Sequence, residues 1–374
     1  MTSSISPARS TNYPTDINQV AGEPAKSVDI EKGIEKLREL IQSDDDVFQE
    51  TEKLLADEDL VDAVKNQSIL IVGEAAAKGN LGVLIPVLDK IPADIDTPNE
   101  QGMTPIMIAS KEGRTAVVGA LAAKLADTSK ADNKGNTALM WAALSGFQNI
   151  VKMLLASLSL MSPDDPKGVN AKNDDGKNSL IFAAEGGHTD TVKLLIDRGA
   201  DIKARDGRGH SALHYAGAGG HTSTIKRLIE NHADVNARDG KDRTPLYYAI
   251  VRGHVETAEL LIENKADINA KNNEGKTPVM LAAEGGHRDI VKLLIENKAD
   301  LKARDNKGYP ALYYAIAGGH ENIVTDFIEA GISLQHFSDD LYLNMTLHDN
   351  TNREMLLQML DPGARYSEKK PSSA

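Results

Sequence analysis

A fourteen-residue element recurs seven times along this 374-residue chain. A chain built in that way grows by adding units, not by enlarging one core. The copies read QGMTPIMIASKEGR from Gln101, KGNTALMWAALSGF from Lys134, DGKNSLIFAAEGGH from Asp175 and RGHSALHYAGAGGH from Arg208. KDRTPLYYAIVRGH from Lys241, EGKTPVMLAAEGGH from Glu274 and KGYPALYYAIAGGH from Lys307 complete the set. The anchors Thr104, Thr137, Asn178, Ser211, Thr244, Thr277 and Pro310 stand 33 residues apart, except for 41 between Thr137 and Asn178. IVGEAAAKGN, ending at Asn80, reads as a degenerate first copy, and LNMTLHDNTNREMLLQML from Leu343 as a degenerate last one.

Each unit predicts one helix from the Thr position, a Gly-His turn, and a second apolar stretch such as TVKLLIDRGA or IVKLLIENKA. Neither helix can bury its apolar face alone, so neighbouring units must stack. Thr before Pro105, Pro245 and Pro278 predicts a helix cap with proline at the first helical position. Pro310 lacks that hydroxyl. Gly199 falls where a left-handed cap is expected after the second helix, and Asn231, Lys265 and Lys298 share roughly that place. Asp206-Gly207-Arg208-Gly209 reads as the tip of a projecting turn. In another copy Asp242 replaces the turn glycine. The extra residues of the long spacing predict an insertion near 157–168. Aromatics make up only 4% of the chain, which suits thin layers of Ala, Leu, Ile and Val.

This pattern resembles the ankyrin-repeat family, whose unit is 33 residues with a T-P-L-H-x-A core. The resemblance implies an all-α repeat solenoid of helix-turn-helix units plus projecting β-turn loops, with about seven clear and two degenerate terminal units. It also implies that the recurring His188, His221, His254, His287 and His320 hydrogen-bond between adjacent helices and turns. Asn236 and Asn269 lie in turns like those whose Asn is hydroxylated in that family.

Four regions are expected. Residues 1–28, rich in Ser, Thr, Pro and Asn, read as a disordered tail. Residues 29–67 form an acidic helical lead-in, with 13 acidic and 4 basic residues between Asp29 and Asp62. Ile30, Ile34, Leu37 and Ile41 mark its first helix, Val47 to Leu55 suggests a second, and LVDAVKN a third. The repeats occupy 68–361, and 362–374 read as a flexible tail.

Catalytic chemistry finds no foothold in the motifs. G-x-S-x-G, H-E-x-x-H and G-x-x-x-x-G-K-[ST] are missing, and there is no cysteine to form a disulfide or a thiolate zinc site. The histidine ladder spreads over separate layers with no acidic partner at ligand spacing. No enzyme activity, cofactor or metal is expected. Two surface features point to a protein partner. Lys172, Arg205, Arg238, Lys271 and Arg304 recur at one turn position and predict a basic row suited to an acidic, extended segment. His214, Tyr247, Met280 and Tyr313 predict a partly apolar stripe facing a concave groove, while the residue after each faces the core or its border.

The leading expectation is therefore a cytoplasmic, non-enzymatic protein-interaction scaffold, monomeric, with Asn352, Arg353 and Gln358 covering its last unit. The net charge of −13 argues against nucleic acid, no apolar run is long enough for a membrane span, and the start lacks the apolar core of a secretory signal. An alternative is a bacterial effector secreted into host cytosol, for which the polar RYSEKKPSSA end would serve as signal. A third reading places an enzyme or enzyme subunit in 29–67.

Overall fold

The structure, a computed structural model, describes residues 24–43, 45–91, 95–161 and 167–332. The expected last copy, the C-terminal tail and most of the N-terminal tail lie outside these residues. The described residues are helical throughout apart from turns and one isolated bridge between Ala131 and Thr137.

Each recurring unit folds as two short antiparallel-type helices because its sequence supplies two apolar stretches separated by a helix-ending Gly-His or its equivalent. The first helices are α5 (Pro105–Lys111), α7 (Ala138–Ser145), α10 (Ser179–Glu185), α12 (Ala212–Gly219), α14 (Pro245–Val251), α16 (Pro278–Glu284) and α18 (Ala311–Ala317). Their partners are α6 (Thr115–Ala123), α8 (Gln148–Met161), α11 (Thr189–Asp197), α13 (Thr222–Glu230), α15 (Val255–Glu263), α17 (Arg288–Glu296) and α19 (Glu321–Glu329). First helices pack on first helices and second helices on second helices, giving two parallel rows. Between the rows lies one continuous core that includes Leu121, Leu154, Leu195, Leu228, Leu261 and Leu294 at 0% exposure. Cutting any of these leucines to alanine removes packing on both sides of a layer, a change that typically costs about 2–5 kcal/mol.

Capping follows the sequence only in part. Thr137, Asn178 and Thr244 accept the N–H three residues on, whereas the hydroxyl of Thr104 finds no partner. The left-handed residue after α13 is His232 (φ 67°), with Asn231 one step earlier turning its amide onto the Arg227 carbonyl. Asp242 does take up the glycine conformation of its turn, at φ 57°. At the equivalent Gly209 a side chain would also collide with the Gly240 nitrogen, 2.9 Å from where its Cβ would stand. The extra residues before Asn178 do not all form a loop. They lengthen α8 to 14 residues, against 9 in α11, and add the short α9 (Lys167–Asn170), whose Val169 is buried.

The lead-in is built into the rows. α1 (Pro24–Gln42) packs on α3 (Glu58–Lys78), and α2 (Phe48–Leu54) packs on α4 (Leu81–Lys90). α1 begins within the stretch expected to be a tail. The segment LVDAVKN and the degenerate first copy form one unbroken helix, α3, so the expected boundary at 67/68 falls inside it. α1 and α3 thus extend the first row, and α2 and α4 the second. Asn80 makes the joint. Its amide nitrogen donates to the carbonyls of Leu40 (2.8 Å), Ile41 (3.3 Å) and Ser43 (3.3 Å), and its oxygen accepts the Val83 N–H (3.1 Å). One side chain caps the end of α1 and the start of α4. No helix among the described residues is long and apolar enough to cross a membrane.

Replacing Asn80 by Ala leaves both helix ends without this partner. A loss of about 1–2 kcal/mol in urea-unfolding stability is expected, together with faster amide hydrogen exchange in α1 than in α14. Uniform exchange along the chain would show that the lead-in is held by other means.

Candidate interaction surface

The turns between units form a second, polar spine. In each, an Asp or Asn opens the turn and accepts the backbone N–H four residues ahead, and in all but that of Asn173 also the one two residues ahead, as Asp239 does from Lys241 (2.8 Å) and Arg243 (2.9 Å). Consecutive turns are linked by main chain. Asn133 donates to the Gln101 carbonyl, Asp174 to Lys134, Gly207 to Asp175, Gly240 to Arg208, Asn273 to Lys241 and Asn306 to Glu274, at 2.7–3.1 Å. This is a ladder with one rung per unit.

The basic row lies along the same spine and has a structural task. Lys172 donates to the Arg205 carbonyl (3.0 Å), Arg205 to that of Arg238 (2.9 Å), Arg238 to that of Lys271 (2.9 Å) and Lys271 to that of Arg304 (2.9 Å). Each cation holds the backbone of the next member of the row. Carbonyl dipoles satisfy donors without cancelling charge, and among the described residues no carboxylate pairs with Lys172, Arg205, Arg238 or Lys271. Lys172, Arg238, Lys271 and Arg304 are exposed and Arg205 is half-buried.

The expected stripe of His214, Tyr247, Met280 and Tyr313 does not form as one surface. His214 is 1% exposed and Met280 0%. His214 Nδ1 accepts from the Ser211 N–H (3.0 Å), and Nε2 donates to the Arg243 carbonyl of the next unit (3.0 Å). Burial holds its pKa down at about 4, so it stays neutral as this pairing requires. Its role is internal, and so is that of Met280. Tyr247 and Tyr313 remain half-buried at the border. Tyr313 stacks on Tyr309 with ring centres 4.0 Å apart, and Tyr247 meets Tyr248 edge-on at 5.2 Å.

The residue after each lies in the core or at its border, as expected, and where it has a polar tip it turns that tip towards the turn. Trp141 Nε1 donates to Asp132 (3.1 Å), and the hydroxyls of Tyr215, Tyr248 and Tyr314 donate to Asp206 (2.7 Å), Asp239 (2.7 Å) and Asp305 (2.5 Å). The spacing is nine residues each time. The remaining turns open with Asn99, Asn173 and Asn272, and the residues nine further on are Ile108, Phe182 and Leu281, which carry no donor. A carboxylate oxygen here needs a donor, and an amide does not. That correlation was visible in the sequence and is the signal that would have assigned these aromatic groups. Cations lie on the rings: Lys177 over Tyr215 at 4.2 Å, Lys276 over Tyr314 at 4.6 Å and Lys111 over Trp141 at 5.0 Å. Lys177 and Lys276 are also paired with Glu185 and Glu284, both at 2.8 Å.

The densest polar cluster joins two units. His210 Nδ1 contacts Asp206 Oδ2 (3.0 Å), and its Nε2 lies 2.8 Å from the Tyr248 hydroxyl and 3.2 Å from Asp239 Oδ2. Arg243 Nε donates to the same Asp239 oxygen at 2.8 Å. Burial pushes the Asp239 carboxyl up, but the N–H groups of Arg243 and Lys241, the Tyr248 hydroxyl and the Arg243 guanidinium outweigh it and hold the pKa down at about 2. Tyr248 is pushed up by burial and by that carboxylate. The cluster is closed on itself and presents no nucleophile. Among the described residues no three His, Asp or Glu side chains gather as a metal site.

Four of the five recurring histidines act as the family resemblance implies. His188, His221, His254 and His320 each donate Nε2–H to a carbonyl of the preceding first helix, those of Leu144 (2.8 Å), Glu185 (3.0 Å), Ala218 (3.1 Å) and Glu284 (3.4 Å). Arg114 does the same work for the Ala77 carbonyl at 2.8 Å.

Stacked helix pairs joined by a ladder of turns define a repeat scaffold whose exposed chemistry lies on its turns. Residues 72–165, 180–272 and 266–337 match the family described as Ankyrin repeats (3 copies), and these matches span more than half of the chain. The chain belongs to the ankyrin-repeat family. Its fold is a non-catalytic scaffold, and its members generally serve as protein–protein interaction modules. No curated protein matches the chain.

Tyr314→Phe strips Asp305 Oδ2 of its hydroxyl donor and is expected to cost about 1–3 kcal/mol. Asp305→Asn in that background recreates the Asn173–Phe182 pairing and should recover much of the loss in a double-mutant cycle; additive losses would refute the pairing rule. For Asp239, whose pKa is depressed when folded, the stability gained over Asp239→Asn is present above pH 4 and is lost as pH falls through about 2. Urea titrations of both proteins between pH 5 and 2 measure it.

Proposed function

We propose that this chain is a non-enzymatic scaffold that holds an acidic, extended segment of a partner protein along its projecting turns. Arg205, Arg238, Lys271 and Arg304 supply the charge, and Tyr247 and Tyr313 supply aromatic contacts at the border of the groove. The observation that carries this reading is the head-to-tail cation row. Neighbouring carbonyls fix the side chains in place, so little side-chain entropy remains to be lost on binding. Among the described residues no carboxylate pairs with Arg205, Arg238 or Lys271, so the charge of these three is left for an outside carboxylate. Arg205 and Arg238 reach the backbone through Nη1, which leaves the other edge of each guanidinium for a bidentate bond. The acidic helix pair α1–α2 serves in this reading as the cap of the array, since it continues both helix rows and covers the apolar side of α3 and α4.

A fluorescein-labelled twelve-residue peptide of alternating Glu and Tyr tests the proposal by fluorescence anisotropy. Binding should weaken at least tenfold between 50 and 300 mM NaCl, since exposed charges are screened over about 6 to 14 Å in that range. The Arg205→Glu, Arg238→Glu double variant should abolish it, and the Tyr247→Ala, Tyr313→Ala variant should weaken it several-fold. Salt-independent binding, or binding unchanged by charge reversal, would remove the turn row from the site.

A further inference from the structure

Every later turn leans on the turn before it through one main-chain rung. The first described turn, Asn99 to Gly102, has no such neighbour, because α3 runs straight through the place where an upstream turn would stand. The Glu100 N–H is the counterpart of the donors of Asn133, Asp174, Gly207, Gly240, Asn273 and Asn306. Among the described residues no carbonyl accepts it. Among the described residues the ladder therefore begins with an open edge.

A cavity of about 280 Å³ adjoins that edge. Leu70, Gly73 and Ala77 of α3 line it, together with Met103 and Ile108. Leu70 is 52% exposed, among the few large apolar side chains that are open to solvent. The cavity exists because the first helix row changes character here. Five residues before Gly113, Gly146, Gly187 and Gly220 stand Ile108, Trp141, Phe182 and Tyr215, while five before Gly79 stands Glu74. The bulky side chain that covers this place in other units is replaced by a carboxylate at the rim. Glu112 is also exposed at the opening, Glu100 is exposed on the turn between the lining residues Asn99 and Gln101, and the one lining ammonium, Lys111, already lies over the Trp141 ring at 5.0 Å.

We propose that this open end is a peptide-binding site that extends the turn ladder by one strand-like rung. A backbone carbonyl of the partner accepts the Glu100 N–H, and an apolar side chain fills the cavity between Leu70 and Ile108. A Lys or Arg close to it in the partner meets Glu74, Glu100 and Glu112. Such recognition takes affinity from main-chain bonding and specificity from the pocket beside it. The partner chemistry, apolar and basic, is opposite to the acidic segment assigned to the turn row. The two sites stand or fall separately.

The test selects a phage-displayed library of random twelve-residue peptides on the full chain. Enrichment of sequences with a large apolar residue within three positions of Lys or Arg is expected. A labelled synthetic peptide of that sequence should lose at least tenfold affinity in Leu70→Glu and in Gly73→Leu. The second variant fills the cavity from α3, where an added Cβ would meet only Ile108 Cδ1 at 3.6 Å, so it should fold as the parent does. Glu100→Pro should cost more affinity than Glu100→Gln, because proline removes the N–H at the turn position that favours it. The Arg205→Glu, Arg238→Glu variant should bind as the parent does. Failure to enrich such sequences, or a selected peptide indifferent to both Leu70→Glu and Gly73→Leu, would overturn the proposal.

Discussion

Burial of apolar faces between successive units is the interaction on which everything else here rests. A helix of seven to nine residues is too short to persist alone in water. In this chain each gains its stability from the layers on both sides, through Leu228, Leu261 and their equivalents at 0% exposure. The arrangement has no single centre, so the ends matter. At the N-terminal end α1 and α2 continue the two rows, with Asn80 tying a helix end on each side.

Apolar stacking is non-directional, and polar bonds between units set its register. Histidine Nε2 groups reach carbonyls of the preceding helix, Thr189 meets Thr224 at 2.9 Å, and turn N–H groups reach turn carbonyls. Cations of the turn row reach the next backbone along. Each bond joins residues roughly one unit apart. The surface with the most conspicuous charge is thus also a register device, and a partner would meet cations already held in position.

Much of the architecture was legible in the residues. The constant spacing gave the units, the Gly-His pairs gave the breaks between helices, and Asp242 in a glycine place marked a position of left-handed backbone, where its φ is 57°. The candidate site was read less well. In LYYAI and LHYAG neighbouring positions are apolar all round, and a helix of seven or eight residues buried on several sides has no clean periodicity to say which ring points where. Hence the residue pattern points His214 and Met280 at a surface from which packing withdraws them. The nine-residue pairing of Asp with Trp or Tyr, and of Asn with Ile, Phe or Leu, needed comparison between units.

The sequence by itself determined a solenoid of helix pairs, its turn chemistry and the row of cations, because these depend on residues close together in the chain or on strict repetition. Only the tertiary structure decided that the cations bond to backbone 33 residues away, that α3 runs unbroken from the lead-in into the first pair, and that the ladder opens beside Leu70. Those outcomes depend on how one unit sits on the next. That geometry is fixed by side-chain volume and by bonds across layers, which no local pattern encodes.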